Sequence, residues 1–265
     1  MTLDPAVAAG SRKALATNLA AVKAAMAAAC GRSGRPPSAA TLLPVVKYVG
    51  ADMVRLLHGL GERDFAENTV QGWEAKREVL PDLDARWHMI GHLQRNKARK
   101  AVAAFESIHS LDSDRLAARI EEEIAARDAG TLTCQAPGAL HSQENPRLYV
   151  EVNIAGEATK GGIAPEEAPA FLERLRAFPR VAARLAGLMG MAPEADDPEA
   201  ARPHFRRLRE LRDRLAGAGL LPPDAGLSMG MSADFIVAVE EGATVVRVGT
   251  RLFEGVETPG GLGCR

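Results

Sequence analysis

The feature that most constrains this chain is an alternation. Short apolar or β-branched runs, each closing on polar residues, give way to segments with helical spacing of apolar positions, and the pattern recurs along the sequence. The runs lie at 41–47, 64–68, 87–91, 107–110, 148–154 and 185–189, with two more inside 226–253. Helices are expected over 51–60, 69–80, a stretch ending at Phe105, a stretch from an Asp112 or Ser113 cap to about Arg127, then 165–178 and 198–216. Parallel strands need long crossovers, and a helix is the usual one. Eight strand-then-helix units therefore predict an α/β fold, a closed (β/α)8 TIM barrel. At 265 residues the length suits one such barrel or two smaller domains, and the regular spacing favours a single domain over 1–265.

Two segments stand outside the repeat. Residues 1–32 are alanine-rich with Leu15, Leu19, Val22 and Met26 at helical spacing, which predicts an extra N-terminal helix packed on the barrel. Charged and polar residues from Asp4 to Lys23 interrupt it, so no run of bilayer length is expected. Residues 130–146 lack periodicity and read as a surface insertion. Lys and Arg total 33 against 34 Asp and Glu, so nothing points to nucleic acid or a membrane surface. Cys30, Cys134 and Cys264 are too few and too far apart for a disulfide framework or a metal knuckle, which suits unpaired thiols in the cytoplasm.

The chemistry collects at one end of the predicted strands. Lys47, Asn68, His92, Asn153, Lys160, Ser228 and Thr250 all fall at or just beyond strand C-termini, the face where barrel enzymes carry their sites. Within 226–253, two turns follow apolar strands: Ser228-Met229-Gly230-Met231-Ser232 and Gly249-Thr250. Glycine admits close approach, and turn N–H groups with hydroxyls beside them bind anions, so these turns predict a phosphate site. Arg247, two residues before Gly249, shares its strand face and adds a cation.

Other polar residues have plainer readings. His88 on an apolar strand reads as a hydrogen-bonded core residue, whereas His92, Gln94, Arg95 and Asn96 form either a cleft wall or an ordinary helix start. Met189, Met191, Met229 and Met231 read as rim packing, and the arginines from Arg202 to Arg214 as a solvated face paired with Glu199, Glu210 and Asp213. No metal-ligand spacing is present.

Seven stretches, in order along nearly the whole chain, carry a resemblance. They are PVVK (44–47), FAENTVQ (65–71), WHMIGHLQRNK (87–97), IHSLDS (108–113), VEVNIAGEATKGG (150–162), GLMGMAP (187–193) and LSMGMSADFIVAVEEGATVVRVGTRLF (227–253). On these the sequence resembles the pyridoxal-phosphate homeostasis proteins of the YggS/PROSC type, whose barrel is similar to the N-terminal domain of alanine racemase. The resemblance implies that Lys47 forms the internal aldimine with pyridoxal 5′-phosphate. It also implies that Ser228, Gly249 and Thr250 surround the phosphate, Arg247 lies near the pyridine nitrogen and Asn68 lies beside the cofactor. Lys160 aligns with a lysine implicated in cofactor transfer. Two positions depart from the family pattern: Val45-Val46 replaces a small residue and serine, and Ala66 replaces glycine, where its methyl is expected to crowd the Asn68 loop.

Two functions follow from the resemblance. One is a monomeric, non-catalytic protein that holds pyridoxal phosphate and delivers it to apoenzymes. The other is a racemase-like enzyme with Lys47 as one base and His92 or water as the second. Racemases of this fold take their second base, a tyrosine, from an added β domain; only Tyr48 and Tyr149 occur here, and about a dozen residues follow the last strand, too few for such a domain. A sugar-phosphate enzyme with an aldolase-type lysine is a third option.

Overall fold

All eight predicted strands form, and all pair in parallel: β1 (Thr41–Pro44), β2 (Asp64–Glu67), β3 (Arg86–Met89), β4 (Ser107–Leu111), β5 (Arg147–Glu151), β6 (Leu185–Met189), β7 (Gly226–Ser228) and β8 (Val245–Val248). This computed structural model describes residues 5–132, 145–157 and 160–257. Pairing runs from β1 to β8 and on through β7 to β2. The remaining seam, β1 against β2, is held by one bridge, Val45 to Ala66, where the Val46 N–H donates to the Ala66 carbonyl at 3.0 Å. The chain is thus a nearly closed TIM barrel.

The strands alternate as the period of two requires, but both faces are buried. Outward residues such as Leu42, Phe65, Trp87, Ile108, Val150 and Leu227 join the main core beneath the helices. Inward residues divide into a small apolar cluster of Leu43, Val45 and Ala66 and a polar remainder that includes His88, Ser107, His109, Ser228 and Arg247. The Ala66 methyl belongs to that inner cluster, so it does not crowd the Asn68 loop as expected. The position that must stay bare is Gly91, where a Cβ would lie 2.2 Å from the Asn68 carbonyl oxygen.

The helices are α1 (Pro5–Arg32), α2 (Ala51–Gly59), α3 (Val70–Val79), α4 (Ala98–Ala104), α5 (Asp114–Asp128), α6 (Ala168–Leu175), α7 (Pro179–Ala182), α8 (Arg202–Gly217) and α9 (Phe235–Glu240). Thr69 and Ser113 cap α3 and α5, each hydroxyl accepting from the N–H three residues on. The helix expected over 165–178 is shorter, and a separate turn of helix follows it. Its Pro165 and acidic pair form a turn ahead of α6, and Phe178 takes an extended φ of −117° before Pro179 opens α7, as a pre-proline residue tends to.

Helix α1 corrects one expectation. Over Ala8–Arg32 it is long and apolar enough, by length and composition, to cross a membrane, because alanine raises its hydropathy between the charges. Its bulky positions are nonetheless buried on the barrel: Leu15, Leu19, Val22 and Met26 join the main core, and the Asn18 amide donates to the Leu252 and Glu254 carbonyls at 3.0 and 2.9 Å. Cys30, at its end, is a buried free thiol. Cys134, Cys264 and most of the 130–146 insertion lie outside the described residues.

Candidate functional site

The loops after β7 and β8 form a backbone cradle. Beyond β8 the chain enters a short 3-10 turn, Thr250–Leu252, and the N–H groups of Gly249 and Arg251 converge on Ser232 Oγ at 3.2 and 3.3 Å. Two converging N–H groups with a hydroxyl between them are an anion-binding arrangement. Gly249 has a negative φ, and its place is a close one: a Cβ would lie 3.2 Å from the Val45 carbonyl oxygen. Gly230 does need its freedom, with a φ of +93° and Ala238 in the way of any side chain. The Asp234 carboxylate closes this loop by accepting from the Met231 N–H at 2.6 Å, and burial raises its pKa.

Arg247 and Ser228 lie beneath the cradle inside the barrel. The Arg247 guanidinium is 4 % exposed; its Nη1 donates to the Ser228 carbonyl at 2.8 Å and to Ser228 Oγ at 2.7 Å. Burial lowers its pKa to about 10, with Asp234 and Glu151 opposing, so it is charged at neutral pH. Ser228 Oγ also lies 2.8 Å from His109 Nδ1. The Ser228 hydroxyl is thus committed to the barrel interior, and Ser232, at the far end of the predicted turn but not among the residues that the resemblance assigns to the phosphate, is the hydroxyl in the cradle. Both serines flank the same SMGMS turn; parity distinguishes them, since Ser228 ends an inward-facing strand position.

The β1 and β2 side is different. Lys47 lies three residues past the end of β1, in an exposed turn, with its ammonium 4.7 Å from the centroid of the exposed Tyr48 ring. Asn68 is exposed too, but stands on a firm base: its N–H donates to the buried Glu67 carboxylate at 3.0 Å, and that carboxylate pairs with Lys76 of α3. Because the Val45 N–H donates to the Val248 carbonyl at 2.9 Å, one residue before Gly249, the chain leading to Lys47 leaves the barrel beside the cradle.

Glu151 at the end of β5 was missed by sequence reading. It is buried, and desolvation with Asp112 nearby pushes its pKa up to about 7 against the pull of Arg247. The alternation of β5 could have located it, since Glu151 shares the inward face with Tyr149. His92 is exposed, with Nδ1 3.5 Å from an Asp112 oxygen, and Lys160 is exposed. His88 is the hydrogen-bonded interior residue expected, between Asp64 and Ser107. Of the α8 arginines, Arg202 and Arg212 pair with Glu199 and Asp213 as expected, and Arg202, Arg206 and Arg209 also converge on the buried Glu241 beyond α9.

Residues 11–256 match the sequence model for the alanine racemase N-terminal domain. The pyridoxal phosphate homeostasis protein of Aquifex aeolicus is 41 % identical over 226 residues, which span 85 % of this chain and 91 % of that protein. The chain belongs to the pyridoxal phosphate homeostasis protein family. Another member, from Pseudomonas aeruginosa, is 39 % identical over 244 residues, 90 % of this chain and 94 % of its own. Among solved structures, PipY of Synechococcus elongatus with pyridoxal phosphate bound superposes with a TM-score of 0.71 at 36 % identity, covering 90 % of this chain and 99 % of PipY.

Proposed function

We propose that this chain binds pyridoxal 5′-phosphate at the C-terminal mouth of the barrel, holds it reversibly on Lys47, and passes it to apoenzymes that require it without turning over a substrate of its own. One observation carries the reading: the pairing of β1 with β8, through the Val45 N–H to Val248 carbonyl bond of 2.9 Å, sets an amine-bearing turn and an N–H cradle side by side on adjacent strands. Family membership and the cofactor-bound PipY structure support the choice of ligand.

The residues present suit such a ligand. Gly249, Thr250 and Ser232 would hold the phosphate, the last by yielding the two N–H groups it now accepts from. Arg247 would face the ring nitrogen, Asn68 would border the ring, and Lys47 would form a reversible covalent link to the aldehyde carbon. When bound, the cofactor supplies an aldehyde that condenses with amines and a ring that accepts electron density. Arg247 only donates, so a ring nitrogen facing it keeps its lone pair and stays unprotonated, which weakens the ring as an electron sink.

The absence of turnover rests on the second base. Tyr149 is buried with its ring centroid 4.4 Å from that of His109, which commits it to the interior. Solvent exposure of Lys47 suits release, because an incoming amine can reach the link and displace it. Lys160, exposed beyond β5, is the further candidate for receiving the cofactor in transfer. A monomer acting by transient contact in the cytoplasm completes the proposal, consistent with the free buried thiol of Cys30.

The test is a transfer assay. Loaded protein mixed with an apoenzyme, in the presence of a scavenger for free pyridoxal phosphate, is expected to restore that enzyme's activity while releasing no solvent-exchanged amino acid of its own. Exchange of solvent deuterium into the Cα of an L-amino acid at enzymatic rates would favour the racemase reading instead.

A further inference from the structure

A line of buried hydrogen bonds crosses the barrel interior from Arg247 to the opposite mouth. Ser228 Oγ lies 2.7 Å from Arg247 Nη1 and 2.8 Å from His109 Nδ1. His109 Nε2 lies 2.6 Å from Ser107 Oγ, Ser107 Oγ lies 2.7 Å from His88 Nδ1, and His88 Nε2 lies 3.0 Å from Asp64 Oδ1. At the start of β3, Arg86 grips the same Asp64 carboxylate through two hydrogen bonds of 2.8 and 2.6 Å. The lower links open onto a cavity of about 540 Å³ at the N-terminal end of the barrel.

The two ends, with a single proton on each imidazole, set the direction of every link. A guanidinium only donates, and a carboxylate only accepts. Desolvation raises the Asp64 pKa, but the hydrogen bonds from Arg86 and His88 outweigh it and hold the carboxylate below its usual range. His88 must therefore present Nε2–H to Asp64, and the relay requires that His88 carry no second proton, so that its Nδ1 accepts from the Ser107 hydroxyl. Ser107 has then spent its hydrogen, so His109 donates to it from Nε2. Burial holds His109 well below the usual imidazole pKa, hence neutral, and its Nδ1 accepts from the Ser228 hydroxyl. Ser228 oxygen is left free to accept from Arg247, and each hydrogen is used once.

Resting on the proposed place of Arg247 at the ring nitrogen, we propose that Asp64, His88, Ser107, His109 and Ser228 form a one-way hydrogen-bond relay that positions the Arg247 guanidinium for the cofactor. His109 and Ser107 are positioning residues in this scheme, acting through Ser228. The Tyr149 ring packed on His109 restrains the imidazole from turning.

The experiment uses the full chain with 15N-labelled histidine, first without cofactor and then with added pyridoxal phosphate. Nitrogen shifts and couplings in the unloaded protein are expected to report Nε2–H tautomers for both His88 and His109. Ser107→Ala cuts the relay midway, away from the cofactor site. In it, His109 is expected to shift towards Nδ1–H, and the absorption band of bound cofactor to move; Ser107→Thr, which keeps the hydroxyl, is expected to restore both. A charged or Nδ1–H His109 in the wild-type chain would overturn the relay without any variant. Ser107→Ala with altered tautomers but an unmoved cofactor band would overturn the positioning role. Predicted tautomers in a protein that takes up no pyridoxal phosphate would instead refute the cofactor reading and with it the assignment to Arg247.

Discussion

The two halves of the barrel mouth are built to opposite designs. Around β7 and β8, Arg247 and Ser228 are buried, hydrogen-bonded and continuous with the barrel interior. Around β1 and β2, Lys47 and Asn68 reach into solvent, although Asn68 rests on the buried Glu67 and Lys76 pair. A preorganised half fixes a ligand's charged groups at little ordering cost, while an exposed amine leaves the reacting bond open to exchange. For a protein proposed to hold and release its ligand, that division assigns grip to one half and turnover of the link to the other.

The comparison can be tested from either side. Lys76→Met strands the Glu67 carboxylate in the core, so a loss of about 3 kcal/mol in urea unfolding is expected; a loss near zero would mean that the exposed half has no firm base. Glu151→Gln addresses the interior edge of the other half. Its folded-state pKa is raised to about 7, above the roughly 4.3 of an unfolded glutamate. Its stabilising contribution is therefore complete below about pH 4.3 and is lost as pH rises through about 7. The glutamine variant should remove that slope, making the unloaded protein more stable than wild type above pH 7 by up to roughly 3 kcal/mol. Parallel pH profiles would contradict this.

Gly249→Ala probes the cradle itself, forcing a methyl to 3.2 Å from the Val45 carbonyl oxygen. A loss of about 1.4 kcal/mol, read as tenfold weaker pyridoxal phosphate binding in a fluorescence titration, is expected. Asn68→Ala should have the smallest effect. At an exposed position it should leave thermal stability within about 0.5 kcal/mol of wild type and weaken binding only modestly. A larger affinity loss at Asn68 than at Gly249 would reverse the assignment of grip.

Much of this was legible from the chain. Strand period, a cap at Asp112 or Ser113 and the order of the units specify the barrel because each is a local property. Contacts between distant segments were not legible. Gly249 looks like a conformational glycine, yet what a side chain there would press against is Val45, some two hundred residues earlier. Ala66 looks intrusive because nothing in sequence reveals that its methyl faces Leu43 and Val45, or that Gly91 is what makes room for Asn68. Ser228 and Ser232 are chemically alike in one turn, and only the fold commits the first to Arg247 and the second to the cradle. The polar interior was half visible, in the inward parity of Ser107, His109, Tyr149 and Glu151, but linking those residues to Arg247 requires knowing how the strands close around one another.

The central claim is that the amine beside the cradle captures the cofactor. Incubating the protein with pyridoxal phosphate, reducing with borohydride and mapping the digest by mass spectrometry measures it directly. A single stable pyridoxyl group on the peptide containing Lys47, lost in Lys47→Ala, is the predicted result. Modification at another lysine with Lys47 untouched, or an equal yield of adduct in the alanine variant, would contradict it.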